Sequence, residues 1–288
     1  MRRFAVLALV LISAACRVAA PPAARPAAAP PAPAVVESSS EALLYATLWV
    51  QTAAEYRAAA LQAFGGATRA LDANLAASGL TAAVEQTGSF EALPPAVVVD
   101  VDETMLDNSS FEARLIREGG EYSEERWAEW VEERSAPAIP GAAEFAREAA
   151  SRGVVVYYVS NRAGAAEEAT RENLRAAGFP LDERYDTVLL RGEREEWSAS
   201  DKASRRAAVA ERHRIVLMIG DDLGDFLPNV RTSRAEREAV TDRFASYWGT
   251  RWFIVPNPMY GSWEGVLTSG APRAERKRRL LDSLRTQQ

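Results

Sequence analysis

The feature of this sequence that most constrains its fold is a set of five short apolar runs that alternate with helical stretches after Pro95. The runs are rich in β-branched residues and cover 96–101, 154–160, 187–190, 215–220 and 252–255. Continuous apolar strands separated by helices are typical of a parallel sheet that is covered on both faces. We therefore predict an α/β fold built on a doubly wound, mainly parallel five-stranded sheet.

The N-terminus has the pattern of a secretory signal, because Arg2 and Arg3 precede an apolar run at 4–12. Such a run is too short to span a bilayer, which takes ~20 residues. Cys16 stands where a bacterial lipoprotein signal is cleaved and lipidated, although Ser13 replaces the leucine that this pattern prefers. We expect a membrane anchor through Cys16 in the bacterial cell envelope, as an outer membrane lipoprotein. The alternative is a periplasmic or secreted protein whose Cys16 leaves with the signal.

The segment between the signal and the first strand is predicted to be a tether followed by helices. Its first part is dominated by Pro and Ala, a composition typical of extended linkers. From Ser40 apolar residues recur at helical spacing and predict one long helix, followed by a second helix at about 67–80. The residues that recur at this spacing are Leu44, Leu48, Ala54 or Tyr56, Leu61 and Phe64. We divide the chain into a signal (1–16), a linker (17–37), an N-terminal helical region (38–93) and a catalytic domain (94–288), with a small helical insertion at about 103–140.

Polar residues follow the predicted strands at the sheet edge where doubly wound folds bind their ligands. The acids there are Asp100, Asp102, Asp221, Asp222 and Asp225, and Ser160 and Asn161 follow the second strand. One acid, or Ser160 alone, could be a helix N-cap, but capping does not require two aspartates after one buried strand. Clustered carboxylates repel each other, and a hard divalent cation relieves the repulsion. We therefore expect Mg²⁺ at this edge.

Composition excludes several classes of function. The chain has 34 Lys and Arg against 40 Asp and Glu, a net charge of −6, which argues against a general nucleic-acid binder. With one Cys and one His it cannot build a zinc finger, a disulfide framework or a phosphatase that uses paired histidines.

The ordered motifs resemble those of the haloacid dehalogenase (HAD) superfamily, which combines an Asp-x-Asp strand end, a Ser or Thr strand end, a Lys and an acidic strand end. More closely, the chain is similar to the class C (subfamily IIIB) acid phosphatases, including the lipoprotein e(P4) type 5′-nucleotidases. The similarity runs from about Glu41 to Asp282. It is carried by LWVQTAAEYRA (48–58), VVVDVDETMLDNS (97–109), AIPGAAEF (138–145), VSNR (159–162), IGDDLGDF (219–226) and PNPMYGSWEG (256–265). Gly224 departs from the family pattern, in which many relatives have a polar residue.

The resemblance implies a role for each motif. Asp100 would be the nucleophile that forms an aspartyl-phosphate, and Asp102 would be the general acid and base. The resemblance further implies a Mg²⁺ site and a phosphate site. The Mg²⁺ ligands would be Asp100, the main-chain carbonyl of Asp102, Asp221 and Asp225, and the phosphate-binding residues would be Ser160, Asn161 and Lys202. Considered without the other motifs, Lys202 is typical of a solvated residue on a helix, and Arg205 or Arg206 could take its role.

The resemblance also implies the substrate class. Trp127 and Tyr260 align with aromatic residues that stack on a nucleoside base, although tryptophans at helical spacing are also common in cores. We expect a phosphomonoesterase for nucleoside 5′-monophosphates, nicotinamide mononucleotide and aryl phosphates. The alternatives are a non-catalytic surface lipoprotein that binds nucleotide or haem, and a phosphotransferase or sugar phosphatase. A homodimer is left open, and no nucleic-acid partner is expected.

Overall fold

The protein contains the predicted parallel sheet. The structure is a computed structural model that describes residues 43–200, 202–268, 271 and 273–285. Within these residues, five parallel strands lie in the order β3-β2-β1-β4-β5. Their bounds are β1 Pro95–Val99, β2 Val155–Ala163, β3 Val188–Arg191, β4 Arg214–Gly220 and β5 Trp252–Ile254. The predicted fold class is confirmed, and Cys16, with the predicted lipid anchor, lies outside the described residues.

Helices cover both faces of the sheet and one end of it. In chain order the helices among the described residues are α1 Leu44–Thr52, α2 Ala54–Ala76, α3 Ser109–Glu118, α4 Glu124–Glu132, α5 Ala142–Ser151, α6 Glu167–Ala176, α7 Ala203–Ala210, α8 Arg234–Arg243, α9 Ser262–Thr268 and α10 Arg273–Asp282. None of the helices in these residues is both long and apolar enough to cross a bilayer.

The central strand, β1, shows why nearly every residue of the apolar runs is apolar: both faces of the strand are buried. Successive side chains of a strand point to opposite faces. Val97 and Val99 accordingly belong to one core cluster, which they share with residues of α2 and α5, whereas Ala96 and Val98 belong to a second cluster on the other face. Full burial of one such aliphatic side chain contributes roughly 1.5–3 kcal/mol. The sheet therefore separates two cores and leaves its carboxyl edge free for polar residues.

The N-terminal helices differ from the expectation of one continuous helix. Ala53 has extended backbone angles (φ −78°, ψ 126°) and separates α1 from α2, which then runs unbroken through the second predicted helix to Ala76. Leu44, Leu48 and Leu61, three of the residues that carried the helical spacing, are 37%, 43% and 44% exposed. Because of the break at Ala53, the residues of α1 and α2 do not continue one helical face. The buried face of α2 contains Tyr56, Phe64 and Leu71 together with Ala60 and Ala67, so the spacing indicated this face correctly at Tyr56 and Phe64.

Candidate active site

A cavity of about 830 Å³ opens at the carboxyl edge of the sheet. Because the strands are parallel, the residues that follow them meet at this edge. Its walls come from the ends of β1, β2, β3 and β4, from α3 and α4, and from the segment that leads from β5 into α9. The cavity therefore collects most of the polar residues that follow the predicted strands, with the exception of Ser160.

Three carboxylates meet beside the central strands. Asp100 follows β1, and Asp221 and Asp225 follow the neighbouring β4, so strand pairing brings them together. One carboxylate oxygen of each lies within 4.8 Å of the other two. Asp225 is held in place because its Oδ2 accepts from the main-chain nitrogens of Asp221 (3.1 Å) and Asp222 (2.9 Å). The apolar strands β1 and β4 are thus followed by three carboxylates that lie in a fixed triangle and offer oxygen ligands.

Lys202 enters this cluster from the start of α7. Its Nζ donates to Asp100 Oδ1 and, at 2.5 Å, to Asp225 Oδ1. The neighbouring cations have other contacts: Arg205 donates to the main-chain oxygen of Ser160 and to Asn161 Oδ1, whereas Arg206 contacts Glu85 and two main-chain oxygens. Of the three candidates, Lys202 is the one that contacts the carboxylates.

Burial controls the electrostatics of the cluster. Loss of water raises the pKa of Asp221 well above its ordinary range, and the charges of Asp100 and Asp225 raise it further. Burial also raises the pKa of Asp100, although the Lys202 ammonium opposes that rise. For Lys202, burial disfavours the charged form, but Asp100 and Asp225 outweigh this effect and its pKa is raised. Three carboxylates thus share one ammonium, which leaves the cluster short of positive charge.

The donor set of this cluster suits a hard divalent metal. Carboxylate oxygens are the ligands such ions prefer, and a cation would offset the repulsion that raises the acid pKa values. Thr104 Oγ1 (3.3 Å) and Asn257 Nδ2 (2.8 Å) donate to the two oxygens of Asp221. Hydrogen bonds of this kind, from residues that do not themselves bind the metal, orient metal-binding carboxylates. Asp100, Asp221 and Asp225 therefore fit a metal site.

Asp102 lies beside the cluster in a separate network. Its Oδ2 accepts from Ser160 Oγ (3.0 Å), and its Oδ1 accepts from Asn108 Nδ2 (3.0 Å) and Arg162 Nη2 (2.8 Å). Ser160 is fully buried and is absent from the walls of the cavity, which Asn161 and Arg162 line. The structure thus brings Ser160 to Asp102, and it places Asn161, but not Ser160, on the wall of the cavity.

Arg162 and Asn108 are functional candidates that sequence reasoning missed. Arg162 is 2% exposed, and a buried guanidinium needs a carboxylate or carbonyl partner. The charge of Arg162, directly after Ser160 and Asn161 at a strand end, was the available signal. Asn108 connects Asp102 to α4, because its Oδ1 accepts from Trp130 Nε1 at 2.8 Å. Both residues orient the carboxylate of Asp102.

The two predicted aromatic residues approach the cavity from different elements. Trp127 projects from α4 and packs against Phe111 with ring centroids 5.2 Å apart. Tyr260, between β5 and α9, packs against the small apolar cluster of Val50, Tyr56 and Met259. Both also line the cavity, so each ring has one side on protein and another on the space for a ligand.

Asp222 has a different role from the acids on either side of it. Its two oxygens accept from the main-chain nitrogen (2.6 Å) and the hydroxyl (2.7 Å) of Ser262. This contact fastens the segment that carries Tyr260 to the end of β4. Of the acids that follow β4, Asp221 and Asp225 therefore belong to the carboxylate cluster with Asp100, whereas Asp222 makes a structural contact.

Comparisons with known proteins agree with this architecture. A protein-family model described as HAD superfamily, subfamily IIIB (acid phosphatase) matches residues 23–263. A structure of the class C acid phosphatase from Bacillus anthracis with tungstate bound has a TM-score of 0.76 and 33% identity, and the match covers 87% of this chain and 100% of that one. A second structure of the B. anthracis enzyme has a TM-score of 0.75 and 33% identity, with 86% and 99% covered.

Two curated plant proteins are also similar. Acid phosphatase 1 of Solanum lycopersicum is 30% identical over 167 residues, which are 57% of this chain and 57% of the relative. The stem 31 kDa glycoprotein of Glycine max is 26% identical over 166 residues, 57% of this chain and 58% of the relative. The chain thus matches somewhat more than half the length of these curated relatives.

Proposed function

Because the chain belongs to the acid phosphatases of HAD superfamily subfamily IIIB, we propose that it hydrolyses phosphomonoesters of small molecules in the cavity at the strand ends. The observation that carries this proposal is the meeting of Asp100, Asp221, Asp225 and Lys202 at one point of that cavity. Binding a ligand would not require a buried carboxylate triangle that shares a single ammonium. Transfer of an anionic phosphoryl group to a carboxylate does require positive charge at that point.

The reaction would proceed in two displacements. A carboxylate oxygen of Asp100 attacks phosphorus, the bond from phosphorus to the leaving oxygen breaks, and Asp102 gives that oxygen a proton. Water then attacks the aspartyl-phosphate, Asp102 takes a proton from the water, and phosphate and the free Asp100 carboxylate result. Arg162, Asn108 and Ser160 hold the Asp102 carboxylate beside the path of both protons.

Mg²⁺ is the metal we propose for this site. Asp100, Asp221 and Asp225 would hold it, together with the main-chain carbonyl of Asp102. The bound ion would supply positive charge that lets an anionic nucleophile meet an anionic phosphate. Lys202, buried and charged, offers a donor to the non-transferring phosphate oxygens, and Asn161 adds a polar group at the cavity wall.

Trp127 and Tyr260 support a substrate with a flat ring. Both rings line the cavity, and stacking of a base on one aromatic side chain is worth ~1–3 kcal/mol with little dependence on the base. We propose activity on nucleoside 5′-monophosphates, nicotinamide mononucleotide and aryl phosphates. The tungstate in the B. anthracis relative is a tetrahedral oxyanion, like phosphate, which supports the phosphoryl site in general terms.

Export and lipidation also remain proposals. They rest on the pattern of residues 1–16, with Cys16 as the acceptor of the lipid. Metabolic labelling with a radioactive fatty acid should label the wild-type protein and not Cys16→Ser. Label on neither protein would favour a secreted or periplasmic protein without an anchor.

The experiment that tests the function is a hydrolysis screen of nucleotides, nicotinamide mononucleotide, sugar phosphates and an aryl phosphate, each with Mg²⁺ and with a chelator. We expect phosphate release with Mg²⁺ and little with the chelator. Background rates for every ester in saturating Mg²⁺ would favour the alternative, a non-catalytic surface lipoprotein that binds nucleotide or haem. Preference for sugar phosphates would contradict the role of the aromatic pair.

A further inference from the structure

Glu112 brings to the cavity a carboxylate that none of the described side chains neutralises. It projects from the first turn of α3, is 6% exposed and lines the cavity. Among the residues whose side chains the structure describes, none forms a hydrogen bond or an ion pair with this carboxylate, and the charge that acts on it is that of another acid, Glu264. Carboxylates this deeply buried are almost always paired, because an unpaired charge away from water is costly.

The other buried acids of this region do have partners. Glu103 accepts from the main-chain nitrogen of Asn108 at 2.8 Å, and Glu85 pairs with Arg206. Asp222 holds Ser262, as described above. Glu112 therefore differs from its neighbours in having a carboxylate on the cavity wall that serves no contact within the fold.

Glu264 adds a second negative charge near Glu112. It lies on α9, is partly buried and also lines the cavity. Burial raises the pKa of Glu112 to about 7, and the charge of Glu264 adds to that rise. Arg231 and Arg276 line the same cavity, but neither forms an ion pair with Glu112 or Glu264 among the described residues.

Aromatic rings accompany these acids. Phe111 precedes Glu112 on α3 and packs with Tyr122 (centroids 6.3 Å apart) and Trp127 (5.2 Å), and all three rings line the cavity. The faces of aromatic rings attract cations, and a carboxylate beside them strengthens the attraction. Two acids that have no ion pair among the described residues, and three rings that line the same cavity, thus suit a cationic group.

We propose that Glu112 and Glu264 form an anionic subsite that takes a cationic, amino-bearing part of the leaving group. This proposal rests on the proposed phosphomonoesterase function, because the same substrate places its phosphate at Asp100. The preferred substrates would then be phosphomonoesters with an ammonium or a positively charged ring several atoms from the phosphate. A neutral leaving group of the same size would leave Glu112 unpaired.

The test compares two matched series of substrates. One is a series of ω-aminoalkyl phosphates with increasing chain length, and the other is the n-alkyl phosphates of the same lengths. For each length, kcat/KM of the charged ester is divided by that of the neutral ester, in wild type and in Glu112→Gln. Comparing this ratio between wild type and Glu112→Gln cancels the difference in intrinsic reactivity between the two leaving groups.

At the chain length that reaches the subsite, Glu112→Gln should lower the preference for the charged ester roughly 10- to 150-fold, because a hydrogen bond to a charged group is lost. Glu264→Gln, at the less deeply buried of the two acids, should lower it by a smaller factor. The control is Glu118→Gln, which removes the same charge from α3 at an exposed residue paired with Arg126, and it should leave the preference unchanged.

The outcomes separate this proposal from the proposed function. Hydrolysis of both series with a ratio that is the same in wild type, Glu112→Gln and Glu264→Gln at every length would overturn the subsite and leave the phosphomonoesterase intact. An equal loss of the preference in Glu118→Gln would also overturn it, because the effect would be one of general charge. Failure of the wild type to hydrolyse any ester would remove the proposed function and the subsite with it.

Discussion

Arg162 holds Asp102 through two guanidinium nitrogens, with Nη2 2.8 Å and Nε 3.0 Å from Oδ1 of the carboxylate. The side chain of Arg162 is 1% exposed, whereas that of Asp102 is 17% exposed. The guanidinium thus holds the Asp102 carboxylate in place, and part of that carboxylate remains exposed to the cavity. A general acid must stay aligned with the leaving oxygen, so this pair connects a buried side chain to the proposed chemistry.

We predict that Arg162→Lys lowers kcat by roughly 10- to 100-fold, a part of the 10²–10⁴-fold that general acid–base catalysis contributes. Lysine keeps the charge but cannot offer two donors in a fixed plane. The loss should be larger for an alkyl phosphate, whose leaving oxygen needs a proton, than for p-nitrophenyl phosphate. The measurement is kcat for both esters, with Arg134→Lys, an exposed residue paired with Glu132 and Glu172, as the control.

An equal loss for both esters would show that Arg162 acts on folding or on phosphate binding. A drop in the melting temperature without a change in leaving-group dependence would lead to the same conclusion.

The aromatic pair gives a prediction about substrate class. Replacing Trp127 or Tyr260 with Ala should lower kcat/KM for a nucleotide roughly 5- to 150-fold more than for a small ester without a ring, because a stacking contact of ~1–3 kcal/mol is lost. The measurement is kcat/KM for both substrates in each variant. Equal losses for both substrates, with a lower melting temperature, would assign the rings to the core that they contact on their other side.

Mg²⁺ binding is tested by Asp221→Asn. Without metal this variant should unfold at a higher temperature than wild type, because burial raises the pKa of Asp221 and the amide removes a repelling charge. Added Mg²⁺ at 100 times its Kd should stabilise wild type by about 2.7 kcal/mol. The variant should gain much less. Equal Mg²⁺-dependent shifts of the melting temperature in both proteins would exclude Asp221 as a ligand.

The pH dependence of stability tests the unpaired state of Glu112. Its pKa is raised from 4.5 to about 7, so the folded protein holds the proton more tightly than the unfolded chain. Glu112 therefore costs stability progressively as the pH rises from about 4.5 to 7. At pH 7 and above, Glu112→Gln should be more stable than wild type by roughly 2–3 kcal/mol, and this advantage should vanish near pH 4.

Urea unfolding of wild type, Glu112→Gln and Glu118→Gln across this range measures the effect. A difference between Glu112→Gln and wild type that does not change with pH would mean that the carboxylate is paired in solution.

The sheet and the acid cluster could be predicted because both depend on local patterns. Apolar β-branched runs determine the strands, and parallel pairing then brings Asp100 and Asp221 to one edge. The N-terminal helices could not be predicted in the same way. The buried face of α2 combines small residues, Ala60 and Ala67, with Phe64 and Leu71, and the extended backbone at Ala53 that separates α1 from α2 has no counterpart in the spacing of the apolar residues.

The network around Asp102 was less visible from the sequence. Arg162 and Asn108 are ordinary polar residues by type, and their role follows from where the ends of β2 and α3 meet. Glu112 is the opposite case. In the sequence it is one of two acids on α3, and only its burial on the cavity wall distinguishes it from Glu118.

The central claim is that Asp100 accepts the phosphoryl group, and the most direct measurement uses Asp102→Asn. An aryl phosphate has a leaving group that needs little help from an acid, so Asp100 should still be phosphorylated, whereas release of the phosphoryl group should lack its base. Acid quenching followed by mass spectrometry should find one added phosphoryl group per chain, on the peptide that contains Asp100. A chain that carries no phosphoryl group while it still releases the phenol, or one that carries it on another residue, would contradict the account.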